Sequence, residues 1–351
     1  MIAETAPTTY RLTSGEAMTV TVLEPPLGPW ADRIEHWWRD VRAPLVAGEL
    51  AATSLDRFVV GEIDGTYVGS MCYDTPRDTH DVAVLEMVWT HPEHRRQGVA
   101  RTLLQHTLAD FRALGGVAMY LCTTNPAAFA LYASEGFQPL VGDGMRYLAP
   151  GHEGFDRTYF AAVGPARGRP AVWGDLARVA ALFNQPAPDW LVKDYPRRVF
   201  RDVRYESHFL RVWKPARDGR GTALVLENPA RRVVGVGSAV EVDSYVEQHV
   251  QVVDFWACPA YLGQLPHLLA ALVQAAREGN AEILEARVAA VDTTKQQLLE
   301  GVGFREEARL RGRLRVGEER VDLCIYSLGF GHRLPPAHPP GGYYGGRWYS
   351  E

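Results

Sequence analysis

The stretch Thr90-His91-Pro92-Glu93-His94-Arg95-Arg96-Gln97-Gly98-Val99-Ala100 joins a hydrophobic run, Val82 to Trp89, to Arg101-Thr102-Leu103-Leu104, which opens an amphipathic helix. A strand therefore passes through a basic, glycine-containing loop into a helix. The first N–H groups of a helix have no partner within it, and they lie at the positive end of its dipole. Gly98 and the small Ala100 let an anion come close to the backbone, and the loop arginines add charge. The stretch predicts a seat for a phosphorylated ligand.

The bulk numbers set the frame. A chain of 351 residues suggests two domains, and 46% hydrophobic residues are enough to fill sizeable cores. A formal charge of -5 leaves no basic surplus for general nucleic-acid binding, so no nucleic-acid partner is expected. Lysine occurs only at Lys193, Lys214 and Lys295, a compositional bias toward arginine. Cys72, Cys122, Cys258 and Cys324 are far apart and form no C-x-x-C or His/Cys cluster, so no metal site is expected. Each reads as a small buried hydrophobe. No apolar run reaches about 18 residues, and the polar start lacks a signal-peptide core; a cytoplasmic protein without membrane contact is the expectation.

Outward from the loop, the first half reads as a strand near Thr19 to Leu23, a helical stretch near Trp30 to Val46, and strands at Arg57 to Ile63, Tyr67 to Asp74 and Val82 to Trp89. A helix from about Gly98 to Leu114, a strand at Val117 to Cys122, a helix from Pro126 to Ser134 ended by Gly136, and strands near Met145 to Leu148 and Arg157 to Val163 follow. The second half gives a helix at Asp175 to Asn184, strands at His208 to Trp213, Thr222 to Glu227, Val233 to Val242 and Val250 to Trp256, and a helix at Leu265 to Glu278. It closes with a strand at Glu282 to Val288, a helix at Thr293 to Glu300, and strands at Arg309 to Val316 and Arg320 to Ser327. A constant offset of 167 residues aligns Trp89 with Trp256, Pro92 with Pro259, Gln97 with Gln264 and Gly136-Phe137 with Gly303-Phe304, which indicates internal duplication. The expected class is α/β (α+β): two tandem domains, each a mixed, mostly antiparallel sheet flanked by helices. The expected boundaries are a tail at 1–17, domains at 18–164 and 172–330, a linker at 165–171, and a Pro/Gly-rich tail at 331–351.

Two motifs carry a resemblance. Arg95-Arg96-Gln97-Gly98-Val99-Ala100 fits the form [Q/R]-x-x-G-x-[G/A], and Asn125-Pro126-Ala127-Ala128-Phe129-Ala130-Leu131-Tyr132-Ala133-Ser134-Glu135-Gly136-Phe137 fits N-x-x-A-x-x-L-Y-x-x-x-G-F. With both in order, the first half resembles the GNAT acetyltransferase superfamily. The resemblance implies acetyl-CoA as cosubstrate, with no metal, and transfer of its acetyl group to an amine of a small molecule or peptide. It implies that backbone groups of Val88, Trp89 and Thr90 hold the pantetheine arm. The loop and helix start, here Arg95, Arg96, Gln97, Gly98, Val99, Ala100 and Arg101, would hold the pyrophosphate, which suits an anion that must bind without burying an unpaired charge. Asn125 reads as a CoA contact, an N-cap, or both.

The chemistry needs a neutral amine, donors for the thioester oxygen and a proton for the departing thiolate. A backbone N–H near Val88 is the candidate for the second need. The resemblance assigns the third to Tyr132, whose phenol has an ordinary pKa of about 10; packing against Phe129 is the alternative role. For the base, Glu86 is a carboxylate inside an apolar run, two residues before Val88 and so expected on the same face. Pairing with an arginine, or a place on an exposed face, is its other reading.

At the same offset the second half places Leu262 to His267 opposite the loop, with Leu265 at the key glycine and Pro266 lacking an N–H. Leu299 stands at Tyr132, Val253 at Glu86 and Asp292 at Asn125. This half is expected to keep the fold, to have lost CoA binding, and to shape the acceptor cleft or a homodimer surface. A non-catalytic acyl-CoA-binding regulator and a scaffold are the competing functions.

Overall fold

The computed structural model describes residues 3–34, 41–140, 142–185, 190–194, 199–200, 205–242, 244, 246–279 and 281–331. The expected C-terminal tail, apart from Gly331, lies outside them. In the first half the elements are β1 (Ala3–Glu4), β2 (Thr8–Arg11), β3 (Ala17–Glu24), α1 (Trp30–Arg33), α2 (Arg42–Ala47), β4 (Ser54–Ile63), β5 (Thr66–Pro76) and β6 (Val82–Thr90). Then come α3 (Val99–Ala113), β7 (Ala118–Cys122), α4 (Pro126–Ser134), β8 (Gln138–Pro139), β9 (Gly144–Leu148) and α5 (Phe155–Tyr159). The second half adds β10 (Arg167–Pro170), α6 (Leu176–Phe183), β11 (Lys193–Asp194), β12 (Val199–Phe200), α7 (Tyr205–Arg217), β13 (Gly221–Glu227), β14 (Val233–Glu241) and β15 (Val250–Ala257). It ends with α8 (Leu265–Glu278), β16 (Ile283–Ala289), α9 (Thr293–Gly301), β17 (Arg305–Val316) and β18 (Glu319–Gly329).

The two main sheets share one plan. The first runs β1-β3-β4-β5-β6-β7-β9-β8, with β2 on β3; the second runs β10-β13-β14-β15-β16-β18-β17. In each, neighbouring strands are antiparallel except for one parallel pair, β6 with β7 and β15 with β16. Each parallel pair bonds over a short span only, Val82–Val84 with Ala118–Tyr120 and Val250–Val252 with Ile283–Glu285, and diverges beyond it. A long helix, α3 or α8, crosses between the two parallel strands, and a short one, α4 or α9, follows them. The fold class and the duplication read from the sequence both hold.

Several local expectations do not. The stretch expected as a tail contains β2, which pairs with β3 from Thr8↔Val20 to Arg11↔Ala17, and Leu12 is buried beside it. The expected linker contains β10, which pairs with β13 at the edge of the second sheet. Of the expected strands, 157–163 begins inside α5 and continues as irregular chain after Tyr159, and 208–213 lies within α7. Within α7, Phe209, Val212 and Trp213 are buried at spacing i, i+3, i+4, which a six-residue window does not separate from alternation. Within the expected helix at 30–46, α1 and α2 are separate pieces, and residues 35–40 lie outside the described set.

One apolar core joins the two halves. It takes in Phe58, Cys72, Val84 and Tyr120 from the first sheet, Val236, Val253 and Phe255 from the second, and all the apolar residues of α6. Helix α6 touches β5, β6 and β7 of the first sheet and β14 of the second, and every residue from Leu176 to Phe183 is buried. Apart from Arg178 the helix is apolar on all sides, as suits one buried on all sides. At its entry a Cβ on Gly174 would fall 2.0 Å from the Thr53 carbonyl oxygen, so only glycine permits this approach of the halves. The Trp173 indole N–H donates to Asp56 at 3.0 Å, and Arg178 pairs with Asp78 across the same seam. Among the described residues no helix is long and apolar enough to cross a membrane.

Candidate active site

The opening loop forms as expected. A short 3-10 turn, Pro92–His94, leads to Gly98, which N-caps α3 at φ +96°, a left-handed conformation that favours glycine. Helix α3 is anchored by Val99, Leu103, Leu104, Leu108 and Phe111 in a second core on the far side of the first sheet. Facing it, α4 begins at Asn125, whose side-chain oxygen accepts from Ala127 N at 2.9 Å and Ala128 N at 3.4 Å. Asn125 is therefore an N-cap. Arg101 pairs with Glu135 at 2.5 Å and ties the start of α3 to the end of α4.

Between these helix ends and the diverging end of β6 lies an open cavity of about 820 Å³. Of the residues read from the sequence, Val88, Trp89, Thr90, Arg95, Arg96, Gly98, Val99, Ala100, Arg101, Asn125 and Tyr132 all line it. Gln97 does not; its amide turns back and donates to the Glu93 carbonyl at 2.8 Å. Thr13, His94, Ala127, Ala128, Ala130 and Leu131 complete the wall. Thr13 belongs to the stretch expected as a tail, and nothing near it in the sequence signals the contact. Tyr132 is 5% exposed, and burial pushes its phenol up to about 12. The phenol is therefore neutral throughout the physiological range.

Glu86 stands elsewhere. Cys72 pairs with Glu86 and Ser70 with Trp89, so Met87 and Val88 together face the single residue Met71. That is a β-bulge, with Met87 at φ +48°. The extra residue breaks the alternation on which the shared face of Glu86 and Val88 was expected. Val88 packs against the α3 core, whereas Val84, Met87 and Cys72 belong to the core that holds α6. Glu86 is buried on that α6 side, cross-strand from Cys72, and does not line the cavity.

There it joins a cluster that the sequence scatters over three strands. One ligand atom each from Cys72, Asp74 and Glu86 lies within 4.8 Å of the others, and Asp56 is the cross-strand partner of Asp74. All four are buried. Burial, then the neighbouring Glu86 and Asp56 carboxylates, pushes Asp74 well above the usual carboxylate range. Burial, then the neighbouring Asp74, Glu86 and Asp56, raises the Cys72 thiol. Asp56 is fixed by Ser54 Oγ at 2.9 Å as well as by Trp173.

The second half has the same geometry without the bulge. Val236 pairs with Trp256 and Ser238 with Asp254, with no register shift between them. With Trp256 matched to Trp89, the counterpart of Glu86 is therefore Asp254, one residue on from Val253, which the constant offset had indicated. The gap between β15 and β16 is filled by the chain itself. Asp194 N donates to Asp254 Oδ2 at 2.7 Å, and Leu191 N donates to Asp292 Oδ2 at 2.8 Å. The Lys295 ammonium donates to the Val192 carbonyl at 3.1 Å and pairs with Asp254. Trp190 packs edge-on against Phe255 and Trp256, at 5.6 and 5.3 Å between ring centroids. Asp292 and Lys295 lie at the 167-residue offset from Asn125 and Ala128, both of which line the first-half cavity. Residues 190–194 thus occupy the place that is open in the first half.

Comparison with known families matches residues 23–137 to the acetyltransferase (GNAT) family. No curated protein matches the chain. Among solved structures, a GNAT superfamily phosphinothricin acetyltransferase from Sinorhizobium meliloti, in complex with AcCoA, is 14% identical, with a TM-score of 0.42; the match covers 50% of this chain and 97% of that one. A ribosomal-protein-alanine N-acetyltransferase from Brucella melitensis is 23% identical, with a TM-score of 0.39, over 46% of this chain and 99% of that one. An N-acetyltransferase from Staphylococcus aureus is 16% identical, with a TM-score of 0.39, over 47% and 99%. The matched segment contains the bulged strand, the basic loop and the motif ending at Phe137: residues 23–137 are a domain of the acetyltransferase (GNAT) family.

Proposed function

We propose that the chain is an acetyl-CoA-dependent N-acetyltransferase with one active site, in its first half, that acts on a primary amine of a small molecule or peptide by direct attack. The observation that carries this reading is the convergence of Val88–Thr90, the Arg95–Arg101 loop and Tyr132 on one cavity, although Tyr132 lies more than 30 residues beyond the loop in the sequence. The α3 amides at the loop suit a pyrophosphate, and the diverging edge of β6 suits an extended pantetheine arm.

The lining residues support the following course. A neutral amine attacks the thioester carbonyl, whose oxygen becomes negative. The bulge leaves a residue out of the β5 ladder, and a backbone N–H at Met87–Val88 is the donor for that oxygen. As the tetrahedral state collapses, the C–S bond breaks and Tyr132 protonates the departing thiolate. The amine proton passes to water, with Glu86, one residue before the bulge, as the terminal acceptor. The second half covers that face with α6 and so bounds the acceptor's approach.

The test is to incubate the protein with acetyl-CoA and a panel of amines while following free CoA thiol and N-acetyl product by mass spectrometry. Thiol release dependent on a primary amine is the expected result. CoA binding with no release on any amine would leave the non-catalytic acyl-CoA-binding function instead.

A further inference from the structure

We propose that Thr13, in the turn between β2 and β3, is a ligand-contacting residue of the phosphate seat, donating to the CoA pyrophosphate. The inference rests on the functional reading above and adds to it a residue outside the matched family segment, residues 23–137.

The turn is tightly built. Leu12 N donates to the Glu16 carbonyl at 2.9 Å and Gly15 N to the Leu12 carbonyl at 3.0 Å, with Gly15 at φ +90°. The hairpin is clamped onto α3. The Tyr10 hydroxyl bonds His106 Nδ1 at 2.8 Å, with the two rings edge to face, and Leu12 and Met18 are buried in the core that contains Val99 and Leu103. Thr13 is thereby held over the capping glycine of α3. Its Oγ1 and backbone N lie 3.2 and 3.4 Å from the point that a Cβ on Gly98 would occupy. Thr13 and Gly98 line the same cavity. Among the described residues neither the Thr13 hydroxyl nor its N–H takes a protein partner. The same contact gives Gly98 a second reason to be glycine: any side chain there would push against Thr13.

Two donors on a rigid turn, beside the capping glycine of a helix start and on the same cavity, extend an anion seat without adding charge. A hydroxyl suits a pyrophosphate oxygen because it rotates to whichever lone pair the ligand presents. A hydrogen bond to an ionised group, once lost, typically weakens binding by about tenfold or more.

The experiment is calorimetric titration of the full chain with CoA and with dephospho-CoA, which keeps the pyrophosphate but lacks the 3′-phosphate. Thr13→Val should weaken both ligands by about tenfold or more, Thr13→Ser should restore both, and the melting temperature should be unchanged in each variant. Wild-type-like CoA affinity in Thr13→Val would overturn the assignment while leaving the functional reading intact. A loss seen with CoA but not with dephospho-CoA would overturn the pyrophosphate contact. Failure of the unaltered chain to bind CoA would overturn the functional reading, and this contact with it.

Discussion

Tyr132 and Asp74 are two buried acids that carry protons for different reasons. Burial alone raises the Tyr132 phenol to about 12, so the donor role proposed for it should not titrate in the ordinary range. Tyr132→Phe should lower kcat by roughly 100-fold, within the range expected of a positioned acid, with little change in the CoA dissociation constant. The wild-type pH–rate profile should show no descending limb from this group below about pH 11, one unit under the raised pKa of about 12. An unchanged kcat in the variant would remove Tyr132 from the mechanism. Asp74 is raised by burial and by two carboxylate neighbours. The folded protein therefore keeps a proton that an unfolded aspartate releases near pH 3.9, so stability falls as pH rises from about 4 toward the folded value. Asp74→Asn removes that loss. It should raise Tm at pH 7 by ~2–4 °C, with the advantage gone at pH 4. An equal shift at both pH values would show that the cluster does not titrate in this way.

At the scale of elements, one inserted residue separates the two halves. β6 carries Met87 as an extra residue opposite Met71, and its end lines the cavity; β15 has no bulge, and its gap is closed by residues 190–194. The bulge bends the strand and frees backbone groups. Deleting Met87 should give β6 the regular register of β15, with CoA affinity lower by roughly tenfold or more by calorimetry and the far-ultraviolet circular dichroism unchanged. Full affinity in a folded deletion variant would show that the cavity does not depend on the bulge. The same element explains why alternation misplaced Glu86. A period of two holds only while the ladder is regular, and one bulge sends every later residue to the other face.

At the scale of the molecule, the two sheets form one body around α6, and the second half is sealed by its own chain. Titration should accordingly give one CoA per chain; two sites would contradict the sealing. Lys295, 1% exposed, and Asp254, 2% exposed, form the centre of the seal. Lys295→Met leaves a buried carboxylate without its cation and should cost about 3–5 kcal/mol in denaturant unfolding. Adding Asp254→Leu should recover part of that loss, because an apolar pair needs no compensating charge. A single variant as stable as wild type would show that the pair contributes nothing to the closed state. The shared core also predicts a single cooperative unfolding transition in place of two.

The duplication, the strand order and most of the cavity wall were legible in the sequence. Gly98, Asn125 and Tyr132 lie in local motifs, and local motifs encode loops and caps through spacing alone. The tertiary structure decided what depends on contacts across strands. The Asp56, Cys72, Asp74 and Glu86 cluster exists because β4, β5 and β6 are adjacent, and no linear spacing records that adjacency. The placement of Thr13 over Gly98 needed the β2–β3 hairpin clamped to α3, and the match of Asp254 to Glu86 needed the bulge to be seen. A helix cap is written within a few residues of chain, whereas a cluster, a seal or a register shift is set by which strands lie side by side.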